Sequence, residues 1–431
     1  MADSTKLLVV AVGFVCSRAA PLKAEEIPPA VLNRAAAMAW ALEHNPELAA
    51  IREQHGIAAA QIVIANTYPF NPVWEAKVRA AVGPESAGIT NRVSNEHKLL
   101  FEVEIRGQGS HRRAAAAAAL SRTDWEIAFQ ELNLAVRTAR AFNSMLYRQE
   151  KLRLIEETVK LHEQAASQVV KLVEQSKLRP VDLIVIRTEV LDARAQTGPG
   201  RAALIAGGAD LRRAMGITAG GFAVRGTLEM PARRWDLEAL MQTGLGRRAD
   251  LRAREAALGE AEARLRLEIA NRYGNPNIGP AYEYDPSRIN LIGAQLSVPL
   301  PVFNTRRGEI LQRTAERDRA ALEVQQIEVQ IRQDVQAALR RLEEAQKVVE
   351  LYRAELLPNL KKSLEGVEKL FLENEPGVDI VRVLDVRRKL LKARDGYLDA
   401  LWEVSQARAD LAAAVGDPVL VVDAEDAPRK P

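Results

Sequence analysis

Five histidines, His44, His55, His97, His111 and His162, and one cysteine, Cys16, are the side chains of this sequence best suited to holding a transition metal. A tight site gathers about four such ligands, and on a helix its signature is a pair at i and i+3 or i+4. No two of these histidines stand at that spacing, and a lone cysteine supplies neither a thiolate cluster nor an internal disulfide. Gly107-Gln108-Gly109 lies where a strand gives way to a helix, the place of a dinucleotide loop, but Arg112 stands where the third glycine belongs. A simple strand-to-helix turn accounts for it. The sequence shows no nucleophile elbow or phosphate loop, so no catalytic, cofactor or metal site is expected.

The charges give a similar answer. Lysine and arginine number 60 against 57 aspartates and glutamates, a net charge of +3, and the two signs alternate along the chain instead of forming a basic patch. Nucleic acid is therefore not an expected partner. Hydrophobic residues make up 47% but aromatics only 5%, a composition typical of long helices and coiled coils.

Lys6 precedes the apolar run from Leu7 to Cys16, which has the length of a secretory h-region and is too short for a membrane helix. Residues 1–24 read as a signal peptide, with cleavage after Ala19 or after Ala24. Cys16 stands where a lipoprotein cysteine would stand, but Val15 replaces the small residue that lipidation expects. Either Cys16 carries lipid or it is removed with the leader.

Internal repetition organises the remainder. Ala209-Asp210-Leu211-Arg212-Arg213-Ala214-Met215-Gly216 is restated as Ala409-Asp410-Leu411-Ala412-Ala413-Ala414-Val415-Gly416, and Arg187, Leu191, Ala193 and Arg194 recur in the same register as Arg387, Leu391, Ala393 and Arg394. Ile64-Ala65-Asn66-Thr67-Tyr68, followed by Asn71-Pro72, returns as Ile269-Ala270-Asn271-Arg272-Tyr273 followed by Asn275-Pro276. The expected division is repeat 1 over 25–218, a linker over 219–235, repeat 2 over 236–417 and a polar tail over 418–431. Each repeat is predicted to run helix, two strands, long helix, helix.

From Gly308 to about Phe371 the second repeat has no strong break. Its apolar residues, among them Val324, Ile327, Ile331, Val335, Ala338, Leu342, Ala345, Val349, Tyr352, Leu356, Leu360, Leu364, Val367 and Leu370, recur about every 3.5 residues, the coiled-coil period. Such a helix is a rod of about 90 Å, suited to a stalk or a tube wall. Pro358 predicts a kink in it.

Strands of period two precede each long helix. Trp74, Ala76, Val78, Ala80 and Val82 alternate with Glu75, Lys77 and Arg79, and Leu99, Phe101, Val103 and Ile105 with Glu102, Glu104 and Arg106. In the second repeat Ile278, Pro280, Tyr282 and Tyr284 are set against Glu283 and Asp285, and Ile292, Ala294, Leu296, Val298 and Leu300 against Gly293, Gln295 and Ser297. Amphipathic strands of this kind suit either a membrane-spanning barrel or soluble hairpins packed on helices. Four strands cannot close a barrel, and lipid tolerates no unpaired edge. A trimer would pool twelve.

Element order, duplication and three phrases together resemble the TolC-like outer-membrane factors over residues 31–417, most closely the CzcC-like and CusC-like branch that serves heavy-metal efflux. The phrases are Ala41-Leu42-Glu43-His44-Asn45-Pro46-Glu47-Leu48, Val298-Pro299-Leu300-Pro301-Val302-Phe303-Asn304-Thr305-Arg306-Arg307-Gly308-Glu309-Ile310, and Leu356-Leu357-Pro358 onward to Val383-Leu384-Asp385-Val386-Arg387. The resemblance implies a mainly α protein with a small β part: coiled-coil helices forming a periplasmic α-barrel, and four strands per chain in a trimeric twelve-stranded transmembrane β-barrel. It also implies a homotrimer in outer-membrane lipid, docked on a periplasmic adaptor and an inner-membrane RND-type pump.

At the periplasmic tip the family places acidic side chains that ring the tunnel entrance. Asp385 matches one such position, and Arg382 occupies the other in place of an acid. Asp379 and Glu375, with Glu373, lie in the predicted turn, and Asp182 holds the same place in the first repeat. Thr197-Gly198-Pro199-Gly200 is expected to interrupt the last helix of repeat 1. The reading from a different class is a soluble periplasmic coiled-coil scaffold or adaptor that conducts nothing.

Overall fold

The computed structural model describes residues 28–80, 82, 93–175, 178–218, 220–231, 233–373, 375, 378 and 380–422. Helices α1 (Arg34–His44) and α2 (Pro46–Asn66) lead into strands β2 (Val73–Ala80) and β3 (Val93–Glu102), followed by α3 (Gln108–Glu174) and α4 (Pro180–Met215). The same order returns as α5 (Leu237–Arg247), α6 (Ala249–Ala270), β5 (Asn277–Tyr284), β6 (Asn290–Ser297), α7 (Arg307–Leu351), α8 (Leu357–Leu372) and α9 (Ile380–Val415). Two short strands, β1 (Val31–Leu32) and β4 (Ala223–Val224), pair in parallel and hold the segment between the halves against the helices.

Where the sequence predicts one opening helix per repeat, the structure has two. Asn45 ends α1 and caps α2: its Oδ1 accepts from the Glu47 and Leu48 amides at 2.8 and 3.2 Å, and Pro46 fills the first helical position, where its missing N–H costs nothing. Asn45 Nδ2 also donates to the Ala214 carbonyl at 2.9 Å, clasping the end of α4. In the second half Arg248 divides α5 from α6 and donates to the Ala414 carbonyl at 3.2 Å. Gly216 and Gly416, both at positive φ, complete these clasps; a β-carbon on Gly216 would lie 2.6 Å from Pro46.

Each clasp sits on an apolar core. Leu32, Leu48, Phe142, Leu146, Leu211 and Met215 cluster in the first half, and Leu240, Leu251, Ile331, Val335, Leu342 and Leu411 in the second. The predicted seam is present: Ile331, Val335, Ala338, Leu342 and Ala345 are buried, with Val324, Ile327 and Val349 packed beside them. Residues 418–422, read in the sequence as the start of a polar tail, are instead docked. Val421 is fully buried, and the carbonyls of Val421 and Leu420 accept from Arg34 and Arg408.

Two predicted breaks take other forms. α4 runs unbroken through Thr197–Gly200 with Pro199 inside it. Burial along α3 outweighs the poor local propensity, because Gly200 lets Leu152 and Ile155 of α3 approach to 3.2 Å from where its β-carbon would stand. Near Pro358 the chain forms a π turn, Tyr352–Leu356, in which the Leu357 amide bonds the Tyr352 carbonyl and α7 passes into α8 without stopping.

Candidate membrane face and tunnel entrance

Four strands form one antiparallel sheet in the order β2-β3-β5-β6. Register fixes its faces. Ala76 opposes His97, His97 opposes Tyr282 and Tyr282 opposes Ile292; two rows below, Phe101 opposes Ile278 and Ile278 opposes Leu296. Side chains alternate along each strand, so Trp74, Val78, Phe101, Ile278, Ile292 and Leu296 share a face. That face is uncovered: Ile292 is 86% exposed, Val78 71%, Trp74 67% and Leu296 64%. Trp74, His97 and Tyr282 stack across three strands, with ring centroids 5.8 and 6.3 Å apart.

The opposite face is charged. Glu96 pairs with Lys98, with Arg79 at 3.2 Å and with Lys77 at 3.7 Å, and Glu283 stands opposite it in register. These strands are slightly shorter or earlier than predicted: β2 stops at Ala80, before Val82, and β3 stops at Glu102, before Val103 and Ile105. Asn275 anchors the base, donating to Glu102 at 2.9 Å and accepting from Gln108 at 2.7 Å, while Arg106 lies over the Tyr273 ring at 4.5 Å. Gly107, at φ 70°, turns β3 into α3 as the glycine pair suggested, and Arg112 binds Glu104 at 2.6 Å.

At the far end the hairpin of α3 and α4 meets that of α8 and α9. Ala165, Val169, Ile186, Ile380, Val383 and Leu384 form a buried cluster, with Leu364, Val367 and Phe371 packed on it. Val383 and Leu384 anchor α9 in this cluster, which leaves the next residue, Asp385, half exposed. Lys389, one turn on, binds its carboxylate at 2.8 Å and holds it below the usual aspartate range. Arg382 lies exposed three residues earlier, on the same helix face. Glu375 is exposed, and Glu373 is 3.9 Å from Lys369. Asp379 and Cys16 lie outside the described residues.

Asp182 belongs to a different task. It is buried and accepts from the Arg179 amide at 3.0 Å, closing the first turn of α4. Among the described residues no group of three or more His, Cys, Asp or Glu side chains is placed to hold a metal, and no helix is long and apolar enough to cross a membrane.

Residues 240–417 match the family model described as Outer membrane efflux protein. The chain is 22% identical over 314 residues to the cobalt-zinc-cadmium resistance protein CzcC of Cupriavidus metallidurans, covering 72% of this chain and 74% of that protein. In its second half the chain is thus similar to the outer membrane efflux protein family. Its fold is that of two solved channel proteins. CusC superposes with a TM-score of 0.73 at 17% identity over 89% of this chain and 92% of CusC. The open-state MtrE outer membrane channel of Neisseria gonorrhoeae gives 0.68 at 17% identity over 89% of this chain and 88% of MtrE.

The uncovered apolar face of the sheet has the character of a lipid-facing surface. A sheet with β2 and β6 at its two edges needs further strands to close a barrel, since lipid cannot satisfy an open edge. Sequence reasoning missed the partners that surround Asp385. Lys389 stands at i+4 from Asp385 and is legible as a helical pair, whereas the Arg387–Glu368 pair at 2.6 Å and the Arg388–Glu189 pair offer no signal until α4, α8 and α9 are brought together.

Proposed function

We propose that three copies of this chain form the outer-membrane duct of a tripartite efflux system, joining their sheets into a twelve-stranded barrel and their helices into a periplasmic tunnel. In this assembly β6 of one copy pairs with β2 of the next, the apolar face meets lipid and the Glu96 face lines the lumen. The observation that carries the reading is the sheet: one face is apolar and uncovered, the other bears compensated charge, and its outer strands end in unpaired edges. A soluble scaffold would have to cover that apolar face with its own helices, which it does not do.

The tip would dock on a periplasmic adaptor and an RND-type pump, with heavy-metal cations as cargo by likeness to CzcC. The duct passes such ions without ligating them, because conduction requires that binding be weak. Asp385, Arg382, Glu375 and Asp379 are assigned to its entrance. Each Asp385 is matched by Lys389, so the entrance screens cargo weakly and choice is left to the pump. Sucrose-gradient fractionation followed by mass determination of the detergent-solubilised complex tests the reading. A trimer in the outer-membrane fraction is expected; a soluble periplasmic monomer or dimer would sink it.

A further inference from the structure

His162 lies on α3, one turn from Ala165 and so at the upper edge of the tip cluster, where α3 is flanked by α4 and α9. It is 6% exposed, and its Nδ1 is buried with no hydrogen-bond partner. A buried histidine in this setting is held neutral, because its charged form would lose hydration without gaining a bond. Its environment lowers its proton affinity, first through burial.

The charges around it are unevenly committed. α4 presents Glu189 and Asp192, and α9 presents Arg387 and Arg388. Arg387 is bound by Glu368 of α8, and Asp192 accepts from Gln196 on its own helix. Arg388 of α9 is bound to Glu189 of α4, an ion pair that ties the first half of the chain to the second beside the imidazole. A proton on His162 would therefore add a cation at the junction, attract Glu189 away from Arg388 and repel both arginines.

We propose that His162 is an acid-sensitive latch: its protonation loosens the seam where α4 and α9 pack on α3 and are tied by Arg388–Glu189, above the Val383–Leu384 cluster, and biases the tip toward opening. The sign follows from burial. A closed seam that disfavours the protonated ring is at full strength above the ordinary histidine value near pH 6.5 and weakens as pH falls below it. The periplasm is exposed to the outside medium, so the duct would open more readily under acid conditions. Coupling to conduction rests on the duct reading; loosening of the seam does not.

The test uses the full-length assembled protein with Ala165→Cys, buried in the cluster, or Thr188→Cys, exposed on α4. Maleimide labelling is resolved by peptide mass spectrometry at about pH 7.5 and about pH 5.5, either side of the histidine range. The ratio of the Ala165→Cys rate to the Thr188→Cys rate cancels the intrinsic pH dependence of thiols. We expect this ratio to rise severalfold on acidification with His162 present and to stay flat in His162→Gln, or in His162→Leu should the glutamine variant not assemble. An unchanged ratio with His162 present, or an equal rise in either variant, overturns the latch. Single-channel current in planar bilayers is recorded on the same samples: a labelling response without current at either pH would sink the duct and keep the latch, and current with an unresponsive ratio would do the reverse.

Discussion

Gly279 offers a sharp test of the sheet. It lies in β5, where an added β-carbon would overlap the Leu99 carbonyl oxygen of β3 outright and stand 3.2 Å from the Leu100 α-carbon. Pro280 beside it has no N–H to give, and the β3–β5 ladder shows no pairing at Leu99 and Leu100, although the register is the same on either side. The two backbones approach most closely where the ladder is weakest. Gly279→Ala would force them apart by on the order of 1 Å, enough to lengthen the neighbouring hydrogen bonds past a useful distance.

Two or three such bonds are worth about 1 kcal/mol each in water, and leaving their groups unpaired in lipid costs several kcal/mol more. Because the β3–β5 junction joins the two halves of the sheet, a trimer would suffer the loss three times. Gly293, in β6 of the same sheet, has nothing within 4 Å of its added β-carbon, so Gly293→Ala is the control. Heat-modifiable migration on gels and the urea midpoint of the purified trimer report the outcome. Gly293→Ala should behave as the parent, while Gly279→Ala should fail to form the heat-modifiable species or lose it at much lower urea. Equal behaviour of the two variants would refute the argument.

Arg248→Met removes a buried guanidinium bound to Asp250 at 2.6 Å and Asp334 at 3.2 Å, and should cost about 1–3 kcal/mol by leaving the partly buried Asp250 without its charged partner; the thermal midpoint of the complex checks this, and adding Asp250→Asn should recover part of the loss. Asp385→Asn should leave that midpoint unchanged, because the carboxylate is exposed, but should shift the reversal potential of the channel under a salt gradient toward anions by releasing Lys389. Tyr397 is pushed up to about 12 by burial and by Glu229, whose carboxylate accepts its hydroxyl at 3.1 Å. Its contribution to stability is therefore intact below about pH 10 and lost as pH rises through about 12, and phenolate absorbance compared with Tyr397→Phe should show the late titration.

Period-two alternation placed the four strands, and the 3.5-residue repeat placed the seam, because both patterns record which side chains must leave water. What the sequence concealed depends on contacts between distant segments. Thr197–Gly200 reads as a break from propensity alone, yet Leu152 and Ile155 occupy the space Gly200 leaves. Asp182 reads as a loop acid until its role in the first turn of α4 is seen. His162 shows nothing at all in the sequence beyond having no partner at helical spacing; only the convergence of α3, α4 and α9 buries it.

The two halves break their regularity at one level by different means. In the first, Gly200 of α4 admits Leu152 and Ile155 of α3; in the second, Gly396 of α9 lies against the Tyr352 ring, and Tyr352 opens the π turn. A π turn carries one residue more than an α turn and so rotates everything beyond it. The helix before it buries Ile331, Val335 and Leu342 in the seam, whereas α8 buries none of its residues fully and turns Leu364, Val367 and Phe371 to the tip cluster instead. A strict 3.5-residue seam on one straight helix of 3.6 drifts by about 20° per heptad and would have to supercoil along its whole length. The π turn resets that phase at a single point, which lets the α8–α9 hairpin present Val383 and Leu384 to α3 and α4 while the upper helices keep their own packing.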